Sequence, residues 1–217
     1  MADAATISSL ATAGGTLVLA IATFSSVRSA NRSARVAERS LLIGLRPVIV
    51  PTREEEPVER IRFGDNVFVS VPGHGAAAEE HDGICYLAIG LRNGGQGLAV
   101  VHGWRARTDT DSQGPAPDLS DFRRQQLDIY VPAGDDGFWQ GALRDRNEPG
   151  APEVRRAIAD DEPFQVDLLY GDHEGGQRTV ARFVLTVWPE FDGQTSLPGT
   201  RRATLLRYFN IDRDDPR

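Results

Sequence analysis

The stretch ICYLAIGLRNGGQGLAVVHGWR, residues 84–105, decides the fold class. Its first part, Ile84 to Leu91, is apolar on both faces of a strand, which is typical of a strand in the middle of a sheet. From Leu98 to Trp104, residues at every second position form one face, as in a strand that lies against a core. A turn rich in glycine separates the two parts. The stretch therefore predicts two strands of a β-sheet.

The same period of two recurs along the chain outward from this stretch. It is seen in Val67–Val71, Leu127–Val131, Phe164–Tyr170 and Ala181–Val187, with further strands expected near 47–51, 60–63 and 203–211. The last of these could also be a helix. Only residues 152–160 have a helical pattern, with Pro152 placed to start the helix. About eight or nine short strands without long helices between them predict an immunoglobulin-like antiparallel β-sandwich.

The turn between the two strands has a pattern of its own, Leu91-Arg92-Asn93-Gly94-Gly95-Gln96-Gly97-Leu98-Ala99. It resembles the N-x-G-x-G-x-A turn of uncharacterised bacterial single-pass proteins, which join an N-terminal anchor and a short helix to a β-sandwich. The resemblance implies that architecture and no activity. The glycines are expected to allow a turn with positive φ angles.

The N-terminal region predicts an anchor helix. Residues 4–27 carry no charge, and a membrane-spanning helix needs roughly 17–25 mostly apolar residues. We therefore expect a transmembrane anchor over residues 1–27, although alanine, serine, threonine and glycine make insertion only moderately favourable. A cleaved signal peptide, with Ala20-Ile21-Ala22 as the cleavage site, and a helix buried in a soluble core are the alternatives.

An amphipathic juxtamembrane helix is expected over residues 28–46, ending before Pro47. Its membrane flank carries Arg28, Arg32, Arg35 and Arg39, whereas no basic residue precedes the uncharged run. With one anchor, we expect a single-pass protein of the cell inner membrane. The positive-inside rule then predicts that its N-terminus is outside and that its β-domain, residues 47–217, is in the cytoplasm. The arginines could contact anionic headgroups, and residues 1–46 could self-associate.

Composition limits the function classes. The net charge of −7 opposes nucleic-acid binding, because phosphates need a basic surface. Cys85 is the single cysteine, so an intrachain disulfide is excluded. All basic residues are arginine, and none is lysine.

The sequence contains no nucleophile, nucleotide or cofactor signature. Glu79-Glu80-His81-Asp82 with Cys85 lacks the paired spacing of a zinc site, so we expect no metal there but a solvated loop that leads into a buried strand. Four residues remain as candidates for an interaction site. Trp139 could be an exposed aromatic anchor or a core residue, Asp172 beside His173 offers a base, and Arg178 could hold an anion.

We therefore expect a membrane-anchored, non-enzymatic β-sandwich that acts through protein–protein contacts. One alternative is an exported domain that binds a ligand or an envelope component. Another is a small hydrolase on the same scaffold, which would need Asp172 or His173 for activity.

Overall fold

The computed structural model describes residues 2–111, 114–188 and 197–212 and, within the first helix, the side chains of Asp3 and of residues 13–44. The chain divides into two compact units, Met1–Gly44 and Leu45–Arg217, and we call the second unit the β-domain. The elements are α1 (Ala2–Gly44), β1 (Ile49–Pro51), β2 (Glu59–Arg62), β3 (Phe68–Val71), β4 (Gly75–His81), β5 (Ile84–Asn93), β6 (Ala99–Arg107), a 3₁₀ turn (Leu119–Asp121), β7 (Arg123–Val131), β8 (Asp136–Leu143), α2 (Ala151–Ala159), β9 (Phe164–Gly171), β10 (Thr179–Val187) and β11 (Thr200–Asn210).

The predicted N-terminal helix is confirmed as one continuous element, α1, which ends three residues before Pro47. No helix among the described residues combines the length and the apolar character that a membrane crossing needs. The predicted transmembrane span is therefore not supported. The first part of the uncharged run, residues 4–12, lies outside the described side chains.

The mainly β prediction is confirmed, and the strands form one large antiparallel sheet. Its strand order is β1-β5-β4-β11-β10-β9-β6-β7. β8 pairs with the edge of β5 opposite to β4, so β8 is the terminal strand at that end of the sheet and β7 is the terminal strand at the other end. The sheet curls so that its two terminal strands, β7 and β8, lie near each other. A separate hairpin of β2 and β3 covers part of the outer face.

The immunoglobulin-like sandwich is not confirmed, because the hydrogen-bonded ladder continues across the whole sheet. The connection runs through β4 and β11, which pair over Gly75↔Arg202, Ala76↔Arg201 and Ala77↔Thr200. The sequence did not predict β4 as a strand. Its residues Ala76 to Ala78 carry no alternation, and residues 79–82 were expected to form a solvated loop. In the structure, Glu79 to His81 complete the strand.

The main core lies inside the curled sheet and includes Leu87, Trp104, Trp139 and Phe183. β5 is apolar on both faces, as predicted, because it has a core on each side. Its outward residues Tyr86 and Ala88 pack against Ile61 and Val69 of the β2–β3 hairpin. Burial of apolar area on both faces contributes roughly 25 cal/mol per Å² to stability.

Asn93 fixes the turn between β5 and β6. It is fully buried; its Nδ2 donates to Gly97 O at 2.6 Å and Val131 O at 2.9 Å, while its Oδ1 accepts from the N–H groups of Val48 and Gly95. The expectation of positive φ angles in this turn is wrong, because none of its glycines has one. They are needed for close approach instead: a Cβ on Gly97 would lie 1.8 Å from Leu45 O.

The predicted helix over residues 152–160 is confirmed as α2, with Pro152 in its first turn. Arg201 of β11 closes its C-terminal end by donating to Ile158 O at 3.2 Å and Glu162 O at 2.9 Å. A cation is favourable at this end of a helix, where the last carbonyls lack intrahelical partners. Burial lowers the pKa of Arg201, and Asp161 partly offsets this.

Candidate functional site

The hairpin between β9 and β10 holds Asp172 and His173, the candidate base. Asp172 Oδ1 accepts from the N–H groups of Glu174 and Gly176, at 3.1 and 2.8 Å, and Oδ2 accepts from Gln177 Nε2 at 3.3 Å. The carboxylate therefore holds the turn together, as aspartate commonly does in such turns. His173 is exposed, and no hydrogen bond or ion pair joins it to Asp172 in the part of the chain described.

Arg178, the candidate anion ligand, is already paired. Its Nε and Nη2 donate to Asp212 Oδ1 at 3.0 and 2.6 Å, and its backbone N–H donates to Asp212 Oδ2 at 2.7 Å. These hydrogen bonds raise the pKa of Arg178. The crevice beside the pair, lined by Arg46, Gln177 and Asn210, has a volume of about 10 Å³, which is room for about one water molecule.

Trp139 is fully buried, so it offers no exposed ring to a partner. Its ring lies 5.2 Å from that of Trp104, edge to face. Its indole Nε1 donates to Gln125 Oε1 at 3.3 Å. Trp139 is therefore a core residue whose single polar atom reaches the place where β7 and β8 meet.

We call the boundary between β7 and β8 the seam. Although the two strands follow each other in the chain, β7 pairs with β6 and β8 pairs with β5, and no ladder joins them within the described residues. The side chain of Gln125 bridges the seam, because its Nε2 donates to Gln140 O at 3.1 Å while its Oε1 accepts from Trp139.

A cleft of about 480 Å³ opens along the seam. Phe63 and Trp104 contribute apolar lining. Gly141 leaves space for the Trp104 ring, because a Cβ at this position would lie 2.9 Å from that ring. The side chains of Gln126 and Gln140 line the cleft as well. Gln140 Oε1 is buried and has no hydrogen-bond partner. A cleft of this volume is within the range of ligand-binding sites.

The three arginines that line the cleft differ in whether they have an ion-pair partner. Arg123 Nη1 lies 2.6 Å from Glu148 Oε2, and its guanidinium lies over the Trp104 ring. Arg144 pairs with Asp65, and this hydrogen bond holds the pKa of the Asp65 carboxyl below its usual range. Arg124, by contrast, is exposed and has no ion-pair partner in the described ranges.

β7 also exposes large apolar side chains next to the cleft. Leu127 is 80% exposed and Tyr130 is 57% exposed. Residues 125–128 have no partners in the β6 ladder, which passes from Val101↔Ile129 directly to Gly103↔Arg124. Within the described residues, this part of β7 therefore has no ladder partner on either side, although β8 lies nearby.

Sequence reasoning missed a buried charge network on the outer face of β6, β9 and β10. Asp167 Oδ1 lies 3.0 Å from Arg182 Nε, both side chains being fully buried, and Asp167 Oδ2 lies 2.8 Å from Arg105 Nη2. Gln165 Nε2 also donates to Asp167. Burial, followed by repulsion from Arg105 and Arg182, lowers the pKa of Arg107. The sequence does carry a signal for this network, because Arg105, Asp167 and Arg182 each alternate with core residues along their strands.

The cluster around Glu79 and Cys85 does not form a metal centre. His81 Nε2 contacts Glu79 Oε2 at 2.8 Å, and burial raises the pKa of the Cys85 thiol. Nowhere in the described ranges do three or more His, Cys, Asp or Glu side chains meet in a way that could hold a metal ion.

The arginines of the predicted membrane flank, Arg28, Arg32, Arg35 and Arg39, are all exposed on α1. None of the four has an ion-pair partner within the described residues. They follow a segment of α1 whose large apolar side chains are exposed as well, including Leu17, Val18, Leu19, Ile21 and Phe24, each at 61–70%.

No protein-family model matches the chain, and no curated protein matches it.

Proposed function

We propose that the protein is a non-enzymatic interaction module, in which α1 anchors the chain to the inner membrane and the β-domain binds a partner protein in the cytoplasm. The observation that carries this proposal is the exposed surface of α1. Leu17, Val18 and Leu19 are successive helical residues, so they face three different directions, yet each is at least 62% exposed. Apolar side chains all round a helix are stabilised when lipid or protein covers them.

The orientation is supported by the exposed arginines Arg28, Arg32, Arg35 and Arg39. Basic residues on one flank of an anchor mark the cytoplasmic side. The proposal therefore has the N-terminus outside and the β-domain inside. The finding that no described helix has the character of a membrane span makes the anchor the first part to be tested.

For the β-domain we propose a relationship to the immunoglobulin-like sandwich. It is supported by the β4–β11 connection, which is only three residue pairs long. The strands on either side of this connection pack their inner faces into one core. Such a scaffold presents loops and strand edges to partners.

The anchor is tested by washing isolated membranes with alkaline carbonate. We expect the full chain to stay with the membrane and the variant Ile21→Asp/Phe24→Asp to be released. Val58→Asp is the matched control, because Val58 is an exposed apolar residue of the β-domain, 53% exposed. Release of the unchanged protein contradicts the anchor.

Protease treatment tests the side of the membrane. The β-domain should be digested only in opened cells, and digestion in intact spheroplasts would favour an exported domain instead. Photo-cross-linking residues at exposed apolar positions of the β-domain then test partner binding. Phe68, Leu127 and Val187 are suitable sites, at 42%, 80% and 45% exposure. Absence of a protein adduct at all three contradicts the interaction module.

A further inference from the structure

We propose that a hollow on α1, lined by Arg28, Arg32 and Arg35, binds the phosphodiester headgroup of an anionic phospholipid. This inference rests on the proposed function, because it names the class of lipid that α1 contacts at the membrane. A headgroup site requires only that α1 reaches the membrane surface, so it does not depend on a membrane crossing.

The lining of the hollow suits a phosphate group. The hollow has a volume of about 780 Å³, and the residues that line it belong to α1. Besides the three guanidinium groups, Ser29 and Asn31 contribute polar side chains. No carboxylate lines the hollow within the described side chains of α1. Guanidinium groups offer paired N–H donors that match phosphate oxygens, so the hollow presents the chemistry that a phosphodiester needs.

The arginines of the hollow have no competing counter-charge. All three are exposed, and none has an ion-pair partner within the described residues. Glu38 is the single acidic residue between Ala4 and Gly44, and it does not line the hollow. From position 28 to position 44, four arginines and one glutamate leave a net charge of +3. The local charge therefore favours a negatively charged ligand.

The apolar side chains on the same face of α1 indicate that this ligand is a lipid. Leu17, Ile21 and Phe24 are between 61% and 70% exposed. They form a single series with the arginines, because steps of three or four residues join positions 17, 21, 24, 28, 32, 35 and 39. Residues at this spacing lie above one another on one face of a helix. One face of α1 is thus apolar in its first part and basic in its second part.

The dimensions of this face match one leaflet of a bilayer. The distance along the helix axis from Leu17 to Arg28 is about 16 Å. Half of the hydrocarbon core of a bilayer is about 15 Å thick. An acyl chain can therefore lie along the apolar side chains while the phosphate of the same lipid reaches the arginines. A nucleic acid or a free phosphate ion offers no apolar group to these side chains.

The charge also selects an anionic headgroup over a zwitterionic one. A zwitterionic headgroup carries a cation of its own, which the arginines repel. A cluster of roughly four to eight basic residues on a helix beside the membrane is typical of segments that bind anionic lipids. The four arginines of α1 reach that number.

Vesicle flotation with the full chain tests the lipid class. The protein is diluted from a mild nonionic detergent into vesicles of phosphatidylcholine or into vesicles that contain about one third phosphatidylglycerol. Partition is measured over a range of lipid concentrations. We expect partition into the phosphatidylglycerol vesicles to be at least about tenfold stronger. Equal partition into both kinds of vesicle overturns the proposal.

Charge-removal variants test whether the hollow causes the preference. The preference should be lost in the variant Arg28→Gln/Arg32→Gln/Arg35→Gln. The matched control makes the same change in net charge at three exposed arginines of the β-domain, and it should keep the preference: Arg53→Gln/Arg124→Gln/Arg156→Gln. Equal losses in the two variants overturn the hollow as the binding site.

A variant of unchanged composition tests the arrangement of the arginines. Arg28→Ser/Ser29→Arg/Arg32→Ser/Ser33→Arg keeps every charge but turns two guanidinium groups by about 100° around the helix. The preference for phosphatidylglycerol should fall at least about threefold. Circular dichroism checks that the helical signal is kept. An unchanged preference with a full helical signal overturns the hollow, because net charge alone would then explain the binding.

Competition identifies the source of the phosphate. Inorganic phosphate, soluble glycerophosphoglycerol and a single-stranded DNA oligonucleotide are each added at the phosphate concentration of the vesicles. None of the three should displace the protein from phosphatidylglycerol vesicles. Displacement by the small phosphates would assign the hollow to a free phosphate ligand, and displacement by DNA alone would assign it to a nucleic acid. Either result overturns the lipid site.

The outcomes also separate this inference from the proposed function. Equal partition into both kinds of vesicle keeps the anchor and overturns the headgroup site. A preference for phosphatidylglycerol in a protein that alkaline carbonate releases from membranes supports the headgroup site and contradicts the anchor. No partition into either kind of vesicle contradicts both.

Discussion

At the scale of single residues, the buried carboxylate of Asp167 is expected to have a large effect on stability. It neutralises Arg182, with both side chains fully buried, and also Arg105. Asp167→Asn leaves a buried guanidinium without its counter-charge, which costs roughly 3–5 kcal/mol. Urea unfolding measures this loss. Asp121→Asn is the matched control, because Asp121 also pairs with Arg105 but is 57% exposed, and it should cost about 1 kcal/mol or less. Equal losses for both variants would contradict the buried network.

Tyr170 gives the β-domain a pH dependence on the alkaline side. Burial raises the pKa of Tyr170 to about 12, and a hydrogen bond from the Ile49 N–H partly opposes this. Because the folded pKa lies above the ordinary value of about 10, the neutral form is favoured by folding. The stability from this group is fully present below pH 10 and is lost as the pH rises to 12. Tyr170→Phe should reduce the fall in the free energy of unfolding between pH 10 and 12, and the remainder comes from Tyr208 and Tyr86, whose pKa values burial also raises.

At the scale of elements, Asn93 joins three strands through four hydrogen bonds, including those to Val131 at the end of β7 and to Val48 before β1. Asn93→Ala leaves four backbone groups without this partner, and each unsatisfied buried group costs roughly 1–3 kcal/mol. We expect the free energy of unfolding to fall by about 4 kcal/mol or more, measured in urea. Asn147→Ala, in an exposed loop, should change it by less than about 0.5 kcal/mol. A small effect of Asn93→Ala would mean that water replaces the amide.

Strands with an alternating pattern could be predicted from sequence, whereas their partners could not. β9 and β10 alternate core and outer residues, and both were identified. β4 was missed, because Ala76 to Ala78 are small and buried on both faces, so they carry no period. The short pairing of β4 with β11, which converts the expected sandwich into a continuous curled sheet, depends on contacts between residues far apart in sequence.

At the scale of the whole molecule, the division into two compact units predicts that the β-domain folds alone. A chain of Leu45–Arg217 retains the complete sheet and both apolar cores. We expect its circular dichroism to show the same strand signal as the full chain and its melting temperature to stay within a few degrees. Loss of cooperative melting in the shortened chain would contradict this division.

The candidate site shows where sequence reasoning ends. Trp139, Asp172 and Arg178 were recognisable as chemically capable residues. Their use is decided by neighbours distant in sequence: Trp104 and Gln125 cover Trp139, and Asp212 pairs with Arg178. The seam was not predictable, because a strand edge is free only when no other strand reaches it. That is a property of the finished sheet rather than of any segment.

The short pairing of β4 with β11 has a consequence for the order of folding. It joins residues near position 76 to residues near position 201, so it closes a very long loop, whereas β9 and β10 are joined by a tight hairpin. Loop-closure entropy makes such distant pairing slow to form. The strands before and after it should therefore assemble as two nuclei that meet late. In native-state hydrogen exchange, the amides of Ala76 and Arg201 should lose their protection before those in the middle of β9 and β10.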